Sequence, residues 1–565
     1  MPAPSAPPPS DPPSSASRSA SSNDDRSIAT ALVTAGRVLR DRPGAILPAY
    51  LLALGVLQTA LVPLLVGLTV ALAALAAAGR LSPAAGALSD IASQLNVLGG
   101  EGGGEGSAPT GSGTGIDEPL PPETIEALAG LVTPTSVLAV GVGIVGSVLV
   151  WVLARSAASA VTHGTVWAAA DGRAPLENGV ASAGRWRTFL GLAVLRVLLV
   201  VAALVPATAA AIVAAILAPG TVADASAVAG AGSVGSAGSV GAASGLAFAG
   251  AALLAVVLAA GGVLLGLLFL FFVVFAGPAA VVDGRGALGA ARASVGFVRS
   301  HPAAAIGFGV LTIGSYAVVG ALAGLLNLVG VGRLAGLLVP LVLAPFLEAL
   351  GTALYAGASV PPADRPALGV RPRSALGGGL RELVAYPRDH ALATLAAAGS
   401  LVGAGAVGVL LTAPYGQIVA PPGDVAGVFG SLPLDTFVTL AVNNWLVSAR
   451  LAFGGIGFSL PAIVGLGFNG LLVGALAGVS DPIAFVALVA PHGILELPAI
   501  ALAGGAGIAL GRTGWRALRG RADAATVAEE LKRVGVLLVG LAIVLIVAAF
   551  IEAFLTPQVA AAVLG

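Results

Sequence analysis

The chain has little of what soluble proteins depend on. It contains no cysteine, which excludes disulfides, thiolate metal sites and cysteine nucleophiles. Only 10% of its 565 residues are charged and 5% are aromatic, whereas soluble domains are about a quarter charged. Lysine occurs once, as Lys532. The net charge is zero, so no overall field favours nucleic acid as a partner.

Hydrophobic residues are abundant instead, at 57% of the chain, and the mean hydropathy is +0.99. This composition predicts an all-α, polytopic integral membrane protein that has the lipid bilayer as its first partner. The 80 glycines suit helices that pack closely along seams of small residues. Eleven apolar runs predict eleven transmembrane helices, at residues 45–78, 137–153, 189–217, 246–275, 304–328, 334–354, 391–412, 436–456, 458–477, 483–510 and 534–554.

Low-complexity and charged segments divide the chain into predicted domains. Residues 1–27 are rich in proline and serine and predict a disordered cytoplasmic tail. Residues 28–358 form a six-span module, and residues 390–557 form a five-span module. A basic connector at residues 359–389 separates the two. Within the first module, residues 80–133 form a Gly/Ser-rich segment that also carries most of the acidic residues of that half.

The arginines predict the orientation in the membrane. With the N-terminus in the cytoplasm and the spans alternating, nearly all loop arginines fall inside, and only Arg80 and Arg333 fall outside. The reverse orientation would place nearly all of them on the wrong side. We therefore predict a multi-pass protein of the plasma membrane with a cytoplasmic N-terminus and an external C-terminus. The acidic segment 80–133 then lies outside.

Ionisable residues inside the second module are the main functional signal. His492 and Glu496 lie one helical turn apart within an otherwise apolar run, where each charge costs on the order of 3 kcal/mol. Under the predicted topology, four segments place polar groups at one level on the outward side. We expect these groups to satisfy one another, with Arg450 paired to a glutamate and His492 to another. The members of this predicted layer are Asn443, Asn444, Arg450, Asn469, His492, Glu496 and Glu552.

This layer admits several roles. Its members are either glue between helices, ion- or proton-coupling groups, or a recognition pocket for a lipid or a partner helix. Catalysis is the least favoured role, because the chain has no nucleophile elbow and no P-loop. His492 and Glu496 supply two metal ligands, but no second histidine is placed to complete a zinc site. The sequence thus predicts no enzyme, no cofactor and no metal, and Gly470 with Gly474 fits helix packing.

In the first module, Arg196 and Glu348 are the ionisable residues that lie well inside predicted spans. Both belong to the cytoplasmic half of the membrane under the predicted topology. A structural Arg196–Glu348 ion pair is therefore expected. A neutral, hydrogen-bonded Glu348 is the alternative.

Five motifs of the second half occur in the order found in one protein family. They are NN at 443–444, FNG at 468–470 followed by Gly474, PHGILELP at 491–498, AGGAG at 503–507 and AFIEAFLTP at 549–557. Residues of about 380–557 thereby resemble the stage II sporulation protein M family. The resemblance implies a membrane module, because the founding member is a non-enzymatic scaffold that gathers peptidoglycan-cutting partners. Arg450 departs from the family pattern, which has an apolar residue there.

The first half lies outside that resemblance. Its segment 277–302, GPAAVVDGRGALGAARASVGFVRSHP, is similar to the six-span membrane modules fused to glycerophosphodiester phosphodiesterases. The similarity implies a membrane module and no activity. The leading hypothesis is a membrane scaffold or recognition platform for envelope partners or lipid. The alternative is a transporter or channel that uses the intramembrane histidine and glutamates.

Overall fold

The computed structural model describes residues 27–81, 83–84, 86–87, 122–217, 240–360, 370–416 and 433–564. Within these ranges the elements are helices and no strand is present, which confirms the predicted all-α, multi-pass fold. The predicted tail before residue 27 lies outside the described residues, as does most of the acidic segment.

The described helices fall into two halves along the chain. Those of the first half are α1 (Ile28–Asp41), α2 (Pro43–Ala77), α3 (Pro122–Ala129), α4 (Pro134–Ala170), α5 (Pro175–Ala181), α6 (Trp186–Leu217), α7 (Val240–Phe272), α8 (Ala276–Val282), α9 (Ala287–Ser300), α10 (Pro302–Leu328), α11 (Ala335–Leu338) and α12 (Ala344–Ala356). Those of the second half are α13 (Val370–Asp389), α14 (Ala391–Thr412), α15 (Leu434–Gly454), α16 (Leu460–Val479), α17 (Pro482–Leu518), α18 (Ala524–Phe550) and α19 (Thr556–Leu564).

Ten stretches of the described chain are long and apolar enough to cross a membrane. They are Pro43–Ala77, Pro134–Ala170, Pro175–Pro206, Leu253–Val282, Pro302–Leu328, Gly332–Ala356, Ala391–Tyr415, Leu460–Val479, Pro482–Leu518 and Ala524–Leu564. The difference from the predicted eleven is α15, which has 21 residues but carries two asparagines and an arginine. It packs against α2, α17 and α18, so it belongs to the helix bundle although its polar residues lower its hydropathy.

Local chemistry determines where the long helices begin. Thr133 and Ser136 form a capping box around the start of α4, and Pro134 occupies the first turn, where its missing N–H is not needed. Asp481 caps α17 by accepting a hydrogen bond from the N–H of Ala484. Both helices contain 37 residues and are about 55 Å long, which exceeds the ~30 Å of the bilayer core. Each therefore extends beyond the membrane.

The first transmembrane helix joins the two halves. α2 packs against α4 in the first half and against α15, α16 and α18 in the second, and one apolar core contains buried residues of both halves. The backbones of α2 and α15 nearly touch, because a Cβ added to Gly55 would lie 2.4 Å from the backbone nitrogen of Gly454. The hydroxyl of Thr59 donates to the carbonyl oxygen of Gly454 at 3.4 Å. The predicted modules are thus in direct contact.

Glycines also fix the packing within the second half. A Cβ at Gly474 would lie 1.9 Å from the carbonyl oxygen of Gly405, and one at Gly470 would lie 2.1 Å from that of Leu401. No real side chain tolerates such distances, so α14 and α16 approach as closely as they do because these positions lack a Cβ. The interpretation of Gly470 and Gly474 as packing residues is confirmed.

Candidate functional site

Two helical segments that contain proline build the site. α17 contains Pro491 and Pro498 in its interior. Proline has no N–H to donate, so each one leaves the carbonyl one turn earlier without its usual helical bond and loosens the helix there. His492 and Glu496 lie between these two prolines and share one face of the helix. The two prolines thus leave unbonded carbonyl groups on the helix that carries the two ionisable side chains.

The third ionisable side chain comes from the end of α18. Residues Ile551–Leu555 form a π-helical turn between α18 and α19, and Glu552 lies on it. A π turn is rare and frequently occurs at functional sites, and it rotates the side chains that follow it relative to an α-helix. Pro557 lies just after this turn and cannot donate a hydrogen bond to it.

The three side chains meet at one point. One ligand atom from each of His492, Glu496 and Glu552 lies within 4.8 Å of the other two. His492 Nε2 is 3.9 Å from Glu552 Oε1, and the side chains of His492 and Glu552 are 13% and 22% exposed. The other ring nitrogen, Nδ1, lies 3.4 Å from the hydroxyl oxygen of Thr556. We call His492, Glu496 and Glu552 the His–Glu–Glu cluster.

The charge of this cluster is not balanced by protein cations. Two carboxylates face one imidazole, and within the described ranges no arginine or lysine forms an ion pair with either carboxylate. Two close carboxylates repel each other, and partial burial adds to the cost of their charge. The arrangement therefore requires protons or a bound cation. Chemically, it can either share a proton or hold a divalent metal ion.

The other members of the predicted polar layer do not join the cluster. Asn469 donates to the carbonyl oxygen of Gly465 on its own helix at 2.7 Å. Asn443 donates to the side-chain oxygen of its neighbour Asn444 at 3.3 Å. The predicted network of bridging amides is thus not observed.

Arg450 is a second correction. Its Nε is buried and has no hydrogen-bond partner among the described residues, and no ion pair with a glutamate is present there. Arg450 lies on α15, near the helix end that approaches Gly55, whereas Glu552 lies beyond the opposite end of the neighbouring α18. The predicted pairing of Arg450 with a glutamate is therefore wrong.

The expected Arg196–Glu348 pair is also wrong. Glu348 instead pairs with His163 of α4, whose Nδ1 lies 3.0 Å from Glu348 Oε1. The hydroxyl of Thr162 donates to Glu348 Oε2 at 3.2 Å, and the buried Tyr50 lies beside the same carboxylate. Arg196 lies on an outward face of α6, with exposed apolar neighbours. The reason is that α4 continues past its apolar run and carries His163 to Glu348.

A third ionic group lies between the connector helix α13 and α18, and no sequence pattern predicted it. The buried Tyr386 donates to Glu530, and Arg533 bonds Glu382 at 3.0 Å and also bonds Asp389. Burial and the nearby Glu530 carboxylate raise the pKa of Tyr386 far above its usual value, so its hydroxyl stays protonated and donates. The group fastens the connector to the second half.

The comparisons with known proteins agree with the resemblance seen in the motifs. Residues 392–557, which contain every member of the predicted polar layer, match the family described as Stage II sporulation protein M. An uncharacterized protein from Methanocaldococcus jannaschii is 31% identical over 129 residues, which is 22% of this chain and 72% of that relative. The chain belongs to the stage II sporulation protein M family. The His–Glu–Glu cluster lies within the part of the chain that shares this family's model.

The first half has a separate match. Residues 122–361 match a family described as Domain of unknown function (DUF7847). This match does not address the similarity to the phosphodiesterase-linked membrane modules, which stays a prediction. No solved structure matches the chain.

Proposed function

We propose that this stage II sporulation protein M family member is a non-enzymatic scaffold of the plasma membrane that holds an envelope protein at its outward side. The observation that carries this proposal is the location of the His–Glu–Glu cluster. It lies at the end of the bundle formed by the start of α17 and the π turn after α18. With the N-terminus in the cytoplasm and α15 crossing the membrane as the eleven-span topology predicts, this end faces outward.

The residues that lie between the cluster and the opposite end of the bundle favour a scaffold over a transporter. Towards its C-terminal end, α17 buries Ala499, Ala503 and Leu510, and α18 buries Leu541 and Leu545 beside them. None of these side chains has a polar atom that could coordinate an ion on its way across the bundle. A transport path needs such steps, because an ion in hydrocarbon must be coordinated throughout.

The contact between the two halves supports the same role. Transporters commonly work by rocking one group of helices against another. Here α2 of the first half meets α15 of the second half with backbone against backbone at Gly55 and Gly454. Gln58 reaches further, because a Cβ at Gly465 of α16 would lie 2.4 Å from its side-chain nitrogen. Such close packing favours one fixed arrangement.

The proposal is tested by site-directed crosslinking in cells. Because the chain contains no cysteine, a single cysteine that carries a photoreactive group labels one position only. Val559→Cys places this group on an exposed position of α19 near the cluster, and Val310→Cys places it on an exposed position of α10 as the matched control. We expect a crosslinked envelope protein from Val559→Cys and none from Val310→Cys. The same adducts from both positions, or none from either, would contradict the proposal.

The orientation is tested with the same cysteine-free background. A membrane-impermeant maleimide added to intact cells is expected to label Ser107→Cys in the acidic segment. It is expected to leave Ser374→Cys on α13 unlabelled until the cells are opened. The reverse pattern would place the cluster on the cytoplasmic side.

A transporter or channel is the second candidate, and the prolines inside α17 and the π turn after α18 favour it. It predicts an ion- or proton-dependent flux into proteoliposomes. That flux would be lost in Glu496→Gln and kept in Glu348→Gln. A flux with this pattern would replace the scaffold proposal.

A further inference from the structure

We infer that His492, Glu496 and Glu552 form a binding site for one divalent transition-metal ion, with zinc as the test ion. The inference goes beyond the proposed scaffold role and does not depend on it. It follows from the donor set, from the geometry of the three side chains and from their charge.

The donor set suits a transition metal. Imidazole nitrogen is a common ligand of zinc and iron, whereas calcium and magnesium prefer oxygen ligands alone. The two carboxylates supply oxygen ligands and neutralise the charge of a divalent ion. Three protein ligands leave one position of a tetrahedral site open. The side chains of His492 and Glu552 are partly exposed, so the protein does not fully enclose the cluster.

The geometry is close to that of a loaded site. Ligand atoms about 2.1 Å from a tetrahedral zinc ion lie about 3.4 Å from one another. In the cluster they lie within 4.8 Å of one another, and His492 Nε2 is 3.9 Å from Glu552 Oε1. The ligand atoms must therefore approach one another by up to about 1.4 Å to reach that geometry.

The orientation of the imidazole fits metal binding. Metal-ligating histidines usually donate their second ring N–H to an oxygen, which fixes the tautomer and directs the other nitrogen at the metal. His492 Nδ1 lies 3.4 Å from the hydroxyl oxygen of Thr556, while Nε2 faces Glu552. When Nδ1–H donates to Thr556, the lone pair of Nε2 points into the cluster. Thr556 is therefore a positioning residue for the ligand.

The charge of the cluster is one that a divalent cation can neutralise. Elsewhere in the membrane part of the described chain, Glu348 has a single imidazole partner and two hydroxyl neighbours, so one carboxylate faces one imidazole. The His–Glu–Glu cluster has one more carboxylate than that arrangement. A divalent ion neutralises both carboxylates and leaves the imidazole neutral, as a metal ligand must be.

A bound ion would also link two parts of the chain. His492 and Glu496 belong to α17, whereas Glu552 belongs to the π turn that leads into α19. The apolar contact between these parts is small, with Ala487 and Ala560 as its buried residues. The ion would hold α19 against α17.

The experiment uses the full-length chain, purified in mild detergent through an affinity tag without histidine. The protein is stripped with a chelator and dialysed against zinc, and the bound zinc is measured by mass spectrometry. We expect one zinc per chain in the wild type. We expect loss of that zinc in His492→Ala, Glu496→Gln and Glu552→Gln. Glu348→Gln, which alters the other intramembrane histidine–glutamate pair, is the matched control and should keep its zinc.

A milder variant tests the positioning role of Thr556. Thr556→Val keeps the size of the side chain but removes the oxygen that faces Nδ1. We expect zinc affinity to fall about 10-fold or more, with the stoichiometry unchanged at saturation. An unchanged affinity would remove Thr556 from the site.

Two results would overturn the inference. One is a wild-type chain that stays free of zinc, iron and manganese, since the carboxylates would then be neutralised by protons. The other is equal zinc loss in Glu348→Gln and Glu496→Gln. X-ray absorption of the loaded wild type decides the matter if the variants fail to fold. One imidazole with oxygen ligands is expected, and two or more imidazoles would place the zinc elsewhere. Crosslinking at Val559 is a separate readout, so either proposal can fail alone.

Discussion

Two places in the described membrane part of the protein bring histidine and glutamate together. They differ in how the charge of the carboxylates is balanced. In the first half, Glu348 is 3.0 Å from His163 and accepts a hydrogen bond from Thr162. In the second half, two carboxylates surround His492, and the closest ion-pair distance is 3.9 Å. The first group has one carboxylate for one imidazole. The second lacks positive charge, which is why we assign structure to one and binding to the other.

The largest effect should come from removing the glutamate of the His163–Glu348 pair. Glu348→Ala leaves His163, Thr162 and Tyr50 without their shared partner in a low-dielectric interior, so the free energy of unfolding should fall by about 3 kcal/mol. Glu552→Ala removes one of two repelling carboxylates and should change it by less than about 1 kcal/mol in metal-free protein. Thermal or denaturant unfolding in detergent measures both. Equal losses of stability in the two variants would contradict the assignment of a structural role to Glu348 and a binding role to Glu552.

Zinc binding provides a second comparison of the two groups. A ligand present at 100 times its dissociation constant stabilises the folded state by about 2.7 kcal/mol. We expect zinc to raise the melting temperature of the wild type and of Glu348→Gln alike. Glu552→Gln should not respond. A response of Glu552→Gln equal to that of the wild type would show that zinc binds elsewhere.

The two threonines provide a smaller, matched test. Thr162→Val removes a hydrogen bond to Glu348 and should lower the stability of the protein by about 1–2 kcal/mol. Thr556→Val removes a longer contact, at 3.4 Å, and should lower the stability of metal-free protein by less than about 0.5 kcal/mol. Unfolding of both variants, each without zinc, checks the order. The opposite order would mean that the second cluster is the structural one.

The smallest effect is expected where a carboxylate is exposed. The Arg533 guanidinium lowers the pKa of Asp389, which is on the surface. A carboxyl with a lowered folded pKa stabilises the protein above its unfolded pKa, near 3.8, and that contribution is lost as the pH falls through the folded value. Wild-type stability should therefore decline slightly more steeply than that of Asp389→Asn below about pH 4. Parallel pH profiles would assign no stability to this pair.

Much of the fold could be predicted from composition alone. Long apolar runs specify membrane helices, because backbone N–H and C=O groups in lipid must be hydrogen-bonded within the protein. A helix satisfies them within a single segment. The proximity of His492, Glu496 and Glu552 could also be predicted from the sequence. Two of them share a helix face, and the third lies at a matching depth on the next span.

The interactions of Arg196, Glu348 and Arg450 could not be predicted from the sequence. Hydropathy locates the membrane part of a helix but not its full length, so it missed that α4 continues to Ala170 and brings His163 to Glu348. Nor does it report which way a side chain faces, and Arg196 faces outward. A π turn changes the phase of every residue after it, and no sequence pattern here indicated one.

The contact between Gly55 and Gly454 has a consequence for how the protein is made. The hydrogen bond from Thr59 to Gly454 joins residues 395 positions apart. At synthesis rates of about 5–20 residues per second, the first membrane helix waits roughly 20–80 s before its partner leaves the ribosome. During that time the side chains of Gln58 and Thr59 face lipid, other helices or the insertion machinery instead of α15. Completion of the fold is therefore a late event that depends on the last third of the chain.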